Sequence, residues 1–528
     1  MAHSNLFKQL QHLLQQARNL NLTAQGRGPA QVSPANPGRR RFMRNSALGG
    51  AAVMSAGSLS GCFGAKSERV AIVGGGLAGL NAAYQLGKAG LKVNIYEARG
   101  RAGGRVRTVH SVLGEGLDTD LGGELVNSDH EDMLALIDEF GLSVASRIEP
   151  NPELDKVAFF YDGRKRSEAE MADALRPFAA QLMNDSELLD ADWDTYAPIF
   201  DNQSLAEYLD MHADKLPTDP DIRDLMEGAV RVEYGVEPTD SSILQLLYLL
   251  PVVDGDHIEV LSTSDEAYVI NGGSETVVDG LRAALAGQIH TQRALTKLTQ
   301  TERGYRLSFT KGRDIEAEYV ILALPFSALR NVEIGFELPE TLSRFIHEVD
   351  LGRNEKVIAG VTQRVWRGPR GFEIEAWNDQ TASLLWDSSL RQPELPEGTL
   401  TFFVGGNEVD IIATGSADEQ GSALMGEYSN VIGGLANVSN GKFVRTSWHT
   451  TQYIGGGYTN FKPGQYTELA EEWLYVEADD PEETQEFAVG NLIFAGEHTS
   501  DEYYGFMNGA AQSGRLAAQR ILRALEAE

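Results

Sequence analysis

The sequence predicts an α/β protein built around a Rossmann-type dinucleotide-binding domain, and three local features predict it. Val70-Ala71-Ile72-Val73 is a short apolar run of the kind buried in a parallel sheet, and it leads straight into Gly74-Gly75-Gly76-Leu77-Ala78-Gly79. A helical stretch from Leu80 to Ala89 follows, closed by Gly90. Leu91 to Tyr96 is a second strand with Glu97 at its end. Strand, GxGxxG, helix, strand and acid, in that order, form the dinucleotide fingerprint. Gly74 permits the tight turn, Gly76 lets the backbone approach a pyrophosphate, and Gly79 lets helix and strand pack closely. The helix N-terminus offers free N–H groups to the phosphate, and Leu77 and Ala78 of the glycine turn are cofactor-binding candidates with the glycines. Glu97, 18 residues after Gly79, is placed to accept from ribose hydroxyls.

Length and composition bound the rest. At about 150 residues per domain, 528 residues make two or three domains. The chain is 42% hydrophobic and 23% charged, as a globular protein with a large core would be. Seven of its 45 Lys/Arg fall in residues 1–61, which carry no Asp or Glu. The remainder therefore sets 38 basic residues against 76 acidic ones. Such a surface repels nucleic acid and can draw cationic substrates inward. Cys62 is the one cysteine, so no internal disulfide and no multi-cysteine metal site can form.

The N-terminus reads as a leader over residues 1–61. Gly38 to Arg44, with Arg39-Arg40-Arg41-Phe42, resembles a twin-arginine export signal, and an apolar stretch from Ala47 to Leu59 follows. That stretch is too short for a persuasive membrane span. It ends in Leu59-Ser60-Gly61-Cys62, which resembles a bacterial lipobox. The expectation is an exported, periplasmic protein, lipid-anchored through Cys62. Upstream, Leu6, Leu10, Leu13, Leu14 and Ala17 share one helical face. This helix is read as part of the leader that is later lost, and Gly26 to Gly38 as a linker.

Downstream of the fingerprint, Glu97-Ala98-Arg99-Gly100-Arg101-Ala102-Gly103-Gly104-Arg105 resembles the second glycine motif of the amine oxidase superfamily of flavoproteins. The resemblance implies FAD. The Gly103-Gly104 backbone would run along the cofactor, and basic side chains near Arg101 and Arg105 would meet its phosphates and flavin end. From about Arg69 to Leu525 the pattern is similar to a flavin monoamine oxidase. Asn271 to Ser274, a helix to Ala286 and Ile289 to Leu298 resemble a second pass through the FAD domain, with Leu295 facing the adenine. Val320 to Pro325 closes that pass. Gly122, Gly123 and Glu124 lie in the segment that ends the first pass. Asn491 to Thr499, with Gly496 and Glu497, leads to Gly505-Phe506-Met507-Asn508, which opens a helix aimed at the flavin. Its dipole would stabilise negative charge on the reduced ring. Asn508 departs from the glutamate common there, which leaves its side-chain role open. His498 is read as a structural or cofactor-contact residue, and with no second histidine at ligand spacing no metal is expected.

The implied fold is an amine oxidase fold: a Rossmann-type FAD-binding domain interleaved with an α+β substrate domain. The FAD domain would take 66–127, 267–335 and 450–528. The substrate domain would take 128–266 and 336–449, with helices in 165–230 covering the site and a mixed or antiparallel sheet as the cavity floor.

Two further matches carry the chemistry. Trp448 to Thr459 resembles the monoamine oxidase stretch around a covalent flavin cysteine, and that position here is Gly457, so the resemblance implies noncovalent FAD. Tyr458 and Phe506 fall on the two walls of the family's aromatic cage. Leu351 to Ile358 resembles the strand bearing the active-site lysine, here Lys356, which in the family holds a water beside the flavin N5. The implied reaction moves a hydride from an amine-bearing carbon to flavin, leaving an imine that water hydrolyses. No strong base is needed, because an apolar cage lowers the substrate amine's pKa and frees its lone pair.

The implied substrate is a primary amine or an L-amino acid, basic side chains included. Asp120 to Ser128 lacks the arginine that venom-type amino acid oxidases place there, and Glu124, Asp501 and Glu502 read better as solvated loop charges than as a cation site. The electron acceptor is oxygen or, in an L-amino acid dehydrogenase, a membrane quinone or cytochrome; a homodimer is left open. A carotenoid desaturase or porphyrinogen oxidase fits the Tyr458 segment and Lys356 poorly. A lipid-anchored flavin-binding protein without turnover is the remaining alternative.

Overall fold

The computed structural model describes residues 5–29, 31–34, 67–147, 154–218, 220–249, 252–254, 257–260, 265–368, 371–478 and 480–527. Among them, two large sheets, three small ones and a set of helices build the fold. The first is a nine-stranded sheet centred on Ser67–Val73. That strand pairs in parallel with Asn94–Tyr96 on one side and Ile315–Leu322 on the other. Leu492–Phe494 joins in parallel beyond Val320–Leu322. Val70 to Val73 are all but completely buried, which explains a strand that is apolar throughout instead of alternating.

The helix Leu77–Lys88 follows the first strand and packs against the C-terminal helix Met507–Glu526. Small residues allow the approach: a Cβ on Gly514 would lie 2.3 Å from the Ala78 carbonyl oxygen. Asn81 donates from Nδ2 to the Ala511 carbonyl at 2.7 Å and ties the two helices together.

The second sheet has seven strands in the order Ser439–Arg445, Asn354–Val361, Gly398–Gly405, Leu384–Asp387, Glu375–Asn378, Val157–Tyr161 and Arg164–Arg166. All neighbours are antiparallel except Glu375–Asn378 with Val157–Tyr161, so the sheet is mixed. Asn354–Val361 is buried along its whole length. The helices Glu168–Ala191, Trp193–Asp201, Leu205–Met211 and Asp221–Tyr234 follow its strand Arg164–Arg166 in the chain, and Asp221–Tyr234 packs against Asn354–Val361 and Gly398–Gly405. Ser167 with Glu170 and Ser204 with Glu207 form capping boxes that start two of them. Asp221–Tyr234 stops at Gly235, whose φ of 67° suits glycine. A Cβ there would lie 2.1 Å from Asn354 Oδ1, so this glycine lets the helix end meet the strand that carries Lys356.

The N-terminal helix packs on the body of the chain. The helix Asn5–Ala24 lies against Glu168–Ala191. Leu10, Leu13, Leu14 and Ala17 are at most 1% exposed and belong to one hydrophobic cluster with Met171, Leu175 and Phe178 of that helix. His12 contacts Glu168 at 2.7 Å, and Asn21 and Arg176 exchange hydrogen bonds. Gln31–Pro34 pairs in parallel with His257–Val260. An apolar helical face read as part of a leader is here part of the core, because Glu168–Ala191 offers it a complementary groove. The segments from Gly38 to Arg44 and from Ala47 to Cys62, which carry the twin-arginine and lipobox patterns, lie outside the described residues. Among the described residues no helix is long and apolar enough to cross a membrane.

Candidate active site

One continuous cleft runs between the two sheets, and it begins at the glycine turn. Gly74 has φ 104°, and a Cβ there would lie 2.2 Å from the Ala323 carbonyl oxygen. Gly79 would place its Cβ 2.0 Å from the Gly74 oxygen, so its role is close packing, and it does not line the cleft. A Cβ on Gly76 would meet nothing within 4 Å. The backbone at Gly76 thus borders open space where a phosphate can approach. Neither Leu77–Lys88 nor Met507–Glu526 has a side-chain N-cap bond, and neither carries an acid in its first turn. Residues at both helix starts line the cleft, so first-turn N–H groups are available to a ligand of negative charge.

Glu97 is buried and accepts from the N–H of Gly75 at 2.8 Å and of Arg99 at 2.7 Å. Burial pushes its pKa up, while those two N–H groups, Arg99 and Arg101 oppose the rise. Ala98, Arg99, Gly103, Gly104, Arg105, Gly122, Gly123, Gly496, Glu497, Gly505 and Met507 also line the cleft. Arg105 donates to Glu497 Oε1 at 2.8 Å and to the Gly457 carbonyl. His498 lines it too, with both ring nitrogens buried and without a hydrogen-bond partner among the described residues. Burial lowers its pKa to about 4, so the ring is neutral at pH 7. Orphaned buried nitrogens, an open glycine turn and two uncapped helix starts fit a bound dinucleotide such as FAD.

Two expected cofactor contacts lie outside the cleft lining. Arg101 does not line the cleft: its guanidinium donates to the carbonyls of Ala102, Gly104 and Val106 in its own loop. Leu295 is buried on the strand Leu295–Thr301 and also stays out of the cleft. Arginine satisfies carbonyls left open by a tight loop, and an apolar side chain in a strand turns to the core.

At the other end, Tyr458, Phe506 and Lys356 meet around the same cavity. The first and last are tied through backbone: Gly352 N–H donates to the Tyr458 carbonyl and Gly457 N–H to the Gly352 carbonyl, each at 2.7 Å. Tyr458 and Phe506 are both half-buried. Burial raises the Tyr458 pKa, and the carboxylates of Glu233, Glu266, Glu355 and Glu497 raise it further, so the ring stays a neutral phenol. Phe506 packs edge-on against His130 with centroids 4.6 Å apart. His130 Nδ1 accepts from the Asn127 N–H, so its proton sits on Nε2. Asn508 is not at the cavity; its Oδ1 accepts from the Met133 N–H and ties the C-terminal helix to Glu131–Glu139.

Lys356 is held more tightly than its resemblance implied. Its ammonium donates to the carbonyls of Asp120 at 3.1 Å and Gly122 at 3.0 Å and to Glu124 Oε2 at 2.8 Å. Three donors meet three acceptors. It also stands 5.0 Å from the centre of the Trp386 ring. Glu124 is therefore a buried ion-pair partner and not a solvated loop charge. Although burial opposes it, Lys356 and Arg391 hold the Glu124 carboxyl below the usual carboxylate range. Asp501 and Glu502 do not line the cavity, and Asp501 accepts from the Tyr466 hydroxyl at 2.7 Å.

Sequence reasoning missed Arg147, Glu233, Glu266, Glu375, Trp386 and Phe403, all of which line the substrate end. Glu375 and Trp386 are cross-strand neighbours. Glu375, next to Ala376 and Trp377 in a short strand, was the one available signal. Arg147 and Glu233 gave none.

A family profile described as flavin containing amine oxidoreductase matches residues 77–522. The flavin-containing amine oxidase of Danio rerio is 24% identical over 477 residues, covering 87% of each chain. The flavin-containing amine oxidase B of Homo sapiens is 25% identical over 471 residues, covering 86% of each. Among solved structures, cyclohexylamine oxidase from Brevibacterium oxydans aligns with a TM-score of 0.72 at 22% identity, over 87% of this chain and 99% of that one. A putrescine oxidase bound to putrescine aligns with a TM-score of 0.69 at 22% identity, over 87% and 99%. The structural likenesses speak for the fold.

Proposed function

The chain belongs to the flavin-containing amine oxidoreductase family, and from that premise we propose that it oxidises the C–N bond of a primary amine or an amino acid. It is an FAD-dependent enzyme. FAD, when bound, accepts the hydride from the amine-bearing carbon, and the resulting imine hydrolyses to an aldehyde or keto acid and ammonia.

The observation that carries the reading is the meeting of Tyr458 and Phe506 in one cavity with Lys356, at the start of the helix Met507–Glu526. The aromatic rings bind the carbon skeleton and exclude water. An amine with a solution pKa near that of lysine, about 10.4, loses its proton more readily there, because an apolar wall disfavours the cation. The helix start supplies N–H groups where negative charge develops. The strand Asn354–Val361 holds Lys356 as a fixed positive charge beside the same space. An anaerobic screen of amines and amino acids tests the proposal: a substrate bleaches the yellow cofactor, and a chain that bleaches with none of them is not this enzyme. Readmitting air then separates an oxidase from a dehydrogenase that needs a quinone or cytochrome.

FAD held without a thioether should leave the protein on acid denaturation. Gly457 offers no thiol, and the sole cysteine is Cys62. The expected result is yellow supernatant over colourless precipitate; colour that stays with the pellet overturns it.

Export and lipid attachment at Cys62 remain part of the proposal, supported by the Arg39-Arg40-Arg41-Phe42 and Leu59-Ser60-Gly61-Cys62 patterns. Cys62→Ala should move the protein from the membrane fraction to the soluble fraction while it keeps its flavin. A variant that fractionates like its parent argues against the anchor.

A further inference from the structure

The ammonium of Lys356 is placed by a segment far from its own strand. All three of its acceptors, the Asp120 and Gly122 carbonyls and Glu124 Oε2, lie within residues 120–124. Gly122 and Gly123, in the middle of that segment, have no side chains to anchor it. A Cβ on Gly122 would lie 1.7 Å from the Arg105 carbonyl oxygen. The acidic side chains at the two ends of the segment converge on Arg391. Arg391 Nη2 stands 2.8 Å from Asp120 Oδ2 and 3.5 Å from Glu124 Oε1. Arg391 lies in the turn between Leu384–Asp387 and Gly398–Gly405, two strands of the sheet that also carries Lys356. Its side chain is 1% exposed and does not line the cavity, so a substrate does not touch it.

The cluster holds two buried carboxylates and two buried cations, and taking away one cation leaves a carboxylate uncompensated. Thr108 Oγ1 and the Ser274 N–H donate to Asp120 Oδ1, and the Trp386 indole N–H faces Glu124 Oε1 at 3.4 Å. Those dipoles add no charge. The other charged groups around the cluster have partners of their own. Asp118 acts on Arg391 and faces His110 at 2.7 Å. Arg147 acts on Glu124 and faces Glu266 at 2.7 Å. Glu355, beside Lys356 on its strand, accepts from His449 and Thr446. Burial pushes the Asp120 carboxyl up, Arg391 opposes that rise, and Glu124 adds to it.

We propose that Arg391 is a positioning residue of the flavin site: it fixes the 120–124 segment and cancels the charge of Asp120, so that Lys356 acts on the cavity as a cation and not as part of a net anion. Negative charge developing on a reduced flavin is stabilised by a cation nearby and opposed by an anion. Arg391 thereby raises the reduction potential of the bound FAD from outside the cavity. The proposal rests on FAD binding in this cleft and deepens the reading above without depending on which amine is oxidised.

Spectroelectrochemical titration of the holoenzyme tests it and needs no amine, so its outcome is separate from that of the substrate screen. Asp120→Asn leaves the cluster one unit more positive. It should favour the reduced flavin on the order of 10-fold, a rise of about 30 mV for a two-electron couple. Arg391→Met leaves the cluster one unit more negative and should lower the potential by a similar amount at alkaline pH. Two like carboxylates sharing one cation cannot both stay ionised, so the Asp120–Glu124 pair should take up a proton as pH falls. The deficit should then shrink, and the infrared band of a protonated carboxyl should appear over the same pH range. Arg391→Met combined with Asp120→Asn restores the charge balance; it should lose that band and return to the parent's potential. Arg391→Lys should recover most of the potential as well. Parent potentials in both single variants overturn the proposal, and so does a deficit that the double variant keeps, which is what a merely structural arginine would give. Should Arg391→Met fail to fold, Asp120→Asn decides alone: a potential that does not rise overturns the proposal.

Discussion

Tyr458→Ala is expected to slow anaerobic flavin reduction on the order of 100-fold with FAD still bound. Tyr458 lines the substrate end, and its backbone is pinned to Gly352. The cleft residues around Gly74, Glu97 and Gly104 lie elsewhere and remain intact. Losing the ring lets the amine shift, and a displacement of about 1 Å can cost roughly 100-fold in rate. The open wall also hydrates the amine. In the parent, desolvation lowers the substrate pKa and raises the neutral fraction. In the variant that help is gone, so the substrate pKa rises and reduction needs a higher pH. The rise of limiting rate with pH should therefore move upward. Phe506→Ala should act in the same direction but less strongly, because part of that ring packs on the buried His130 instead of facing the cavity. Stopped-flow reduction against pH for all three proteins decides it. A Tyr458→Ala enzyme with its parent's rate and pH profile removes the cage from this account.

Lys356→Met should do two things of different origin. Thermodynamically, it strips Glu124 of the cation at 2.8 Å and leaves it facing Arg391 at 3.5 Å and the Trp386 indole N–H at 3.4 Å. Breaking a buried pair by removing one partner costs about 3–5 kcal/mol. Lys356→Met with Glu124→Gln should recover most of that, because no uncompensated charge remains. Denaturant unfolding of the three proteins tests it, and a single variant as stable as its parent means that Glu124 is not ionised in the fold. Kinetically, the positive charge beside the cavity would stabilise developing superoxide. Reoxidation by oxygen should therefore slow far more than reduction by substrate. Equal effects on the two half-reactions would show that Lys356 has no part in oxygen chemistry. The double variant separates the two origins, since it restores stability but not the charge.

The N-terminal helix shows how far an apolar pattern can be read. Leu10, Leu13, Leu14 and Ala17 lie on one face, and the spacing correctly announced an amphipathic helix. Spacing says which face is apolar but not what covers it. The covering surface is Glu168–Ala191, about 155 residues away, as the bonds between Asn21 and Arg176 record. Arg101 makes the same point on a smaller scale. A basic residue in a phosphate-binding motif suggests a phosphate contact, but the carbonyls of its own loop take the guanidinium.

By itself the sequence determined the strand, glycine turn and helix from Ser67 to Lys88, and it singled out Tyr458, Phe506 and Lys356, which the fold brings to one cleft. These rest on short-range constraints: a positive φ at Gly74, a close approach at Gly79, an apolar run in a doubly covered strand, and an N–H-rich helix start. Each is set by residues within a turn or two of one another. Only the tertiary structure decided the charges of the substrate end. Arg147, Glu233, Glu266 and Glu375 come from four separate segments, and Lys356 finds Glu124 across 232 positions. Whether a charged side chain is solvated or buried against a partner is a property of the packed interior. The free energy of a charge depends on the dielectric and on the charges around it, and chain folding sets both.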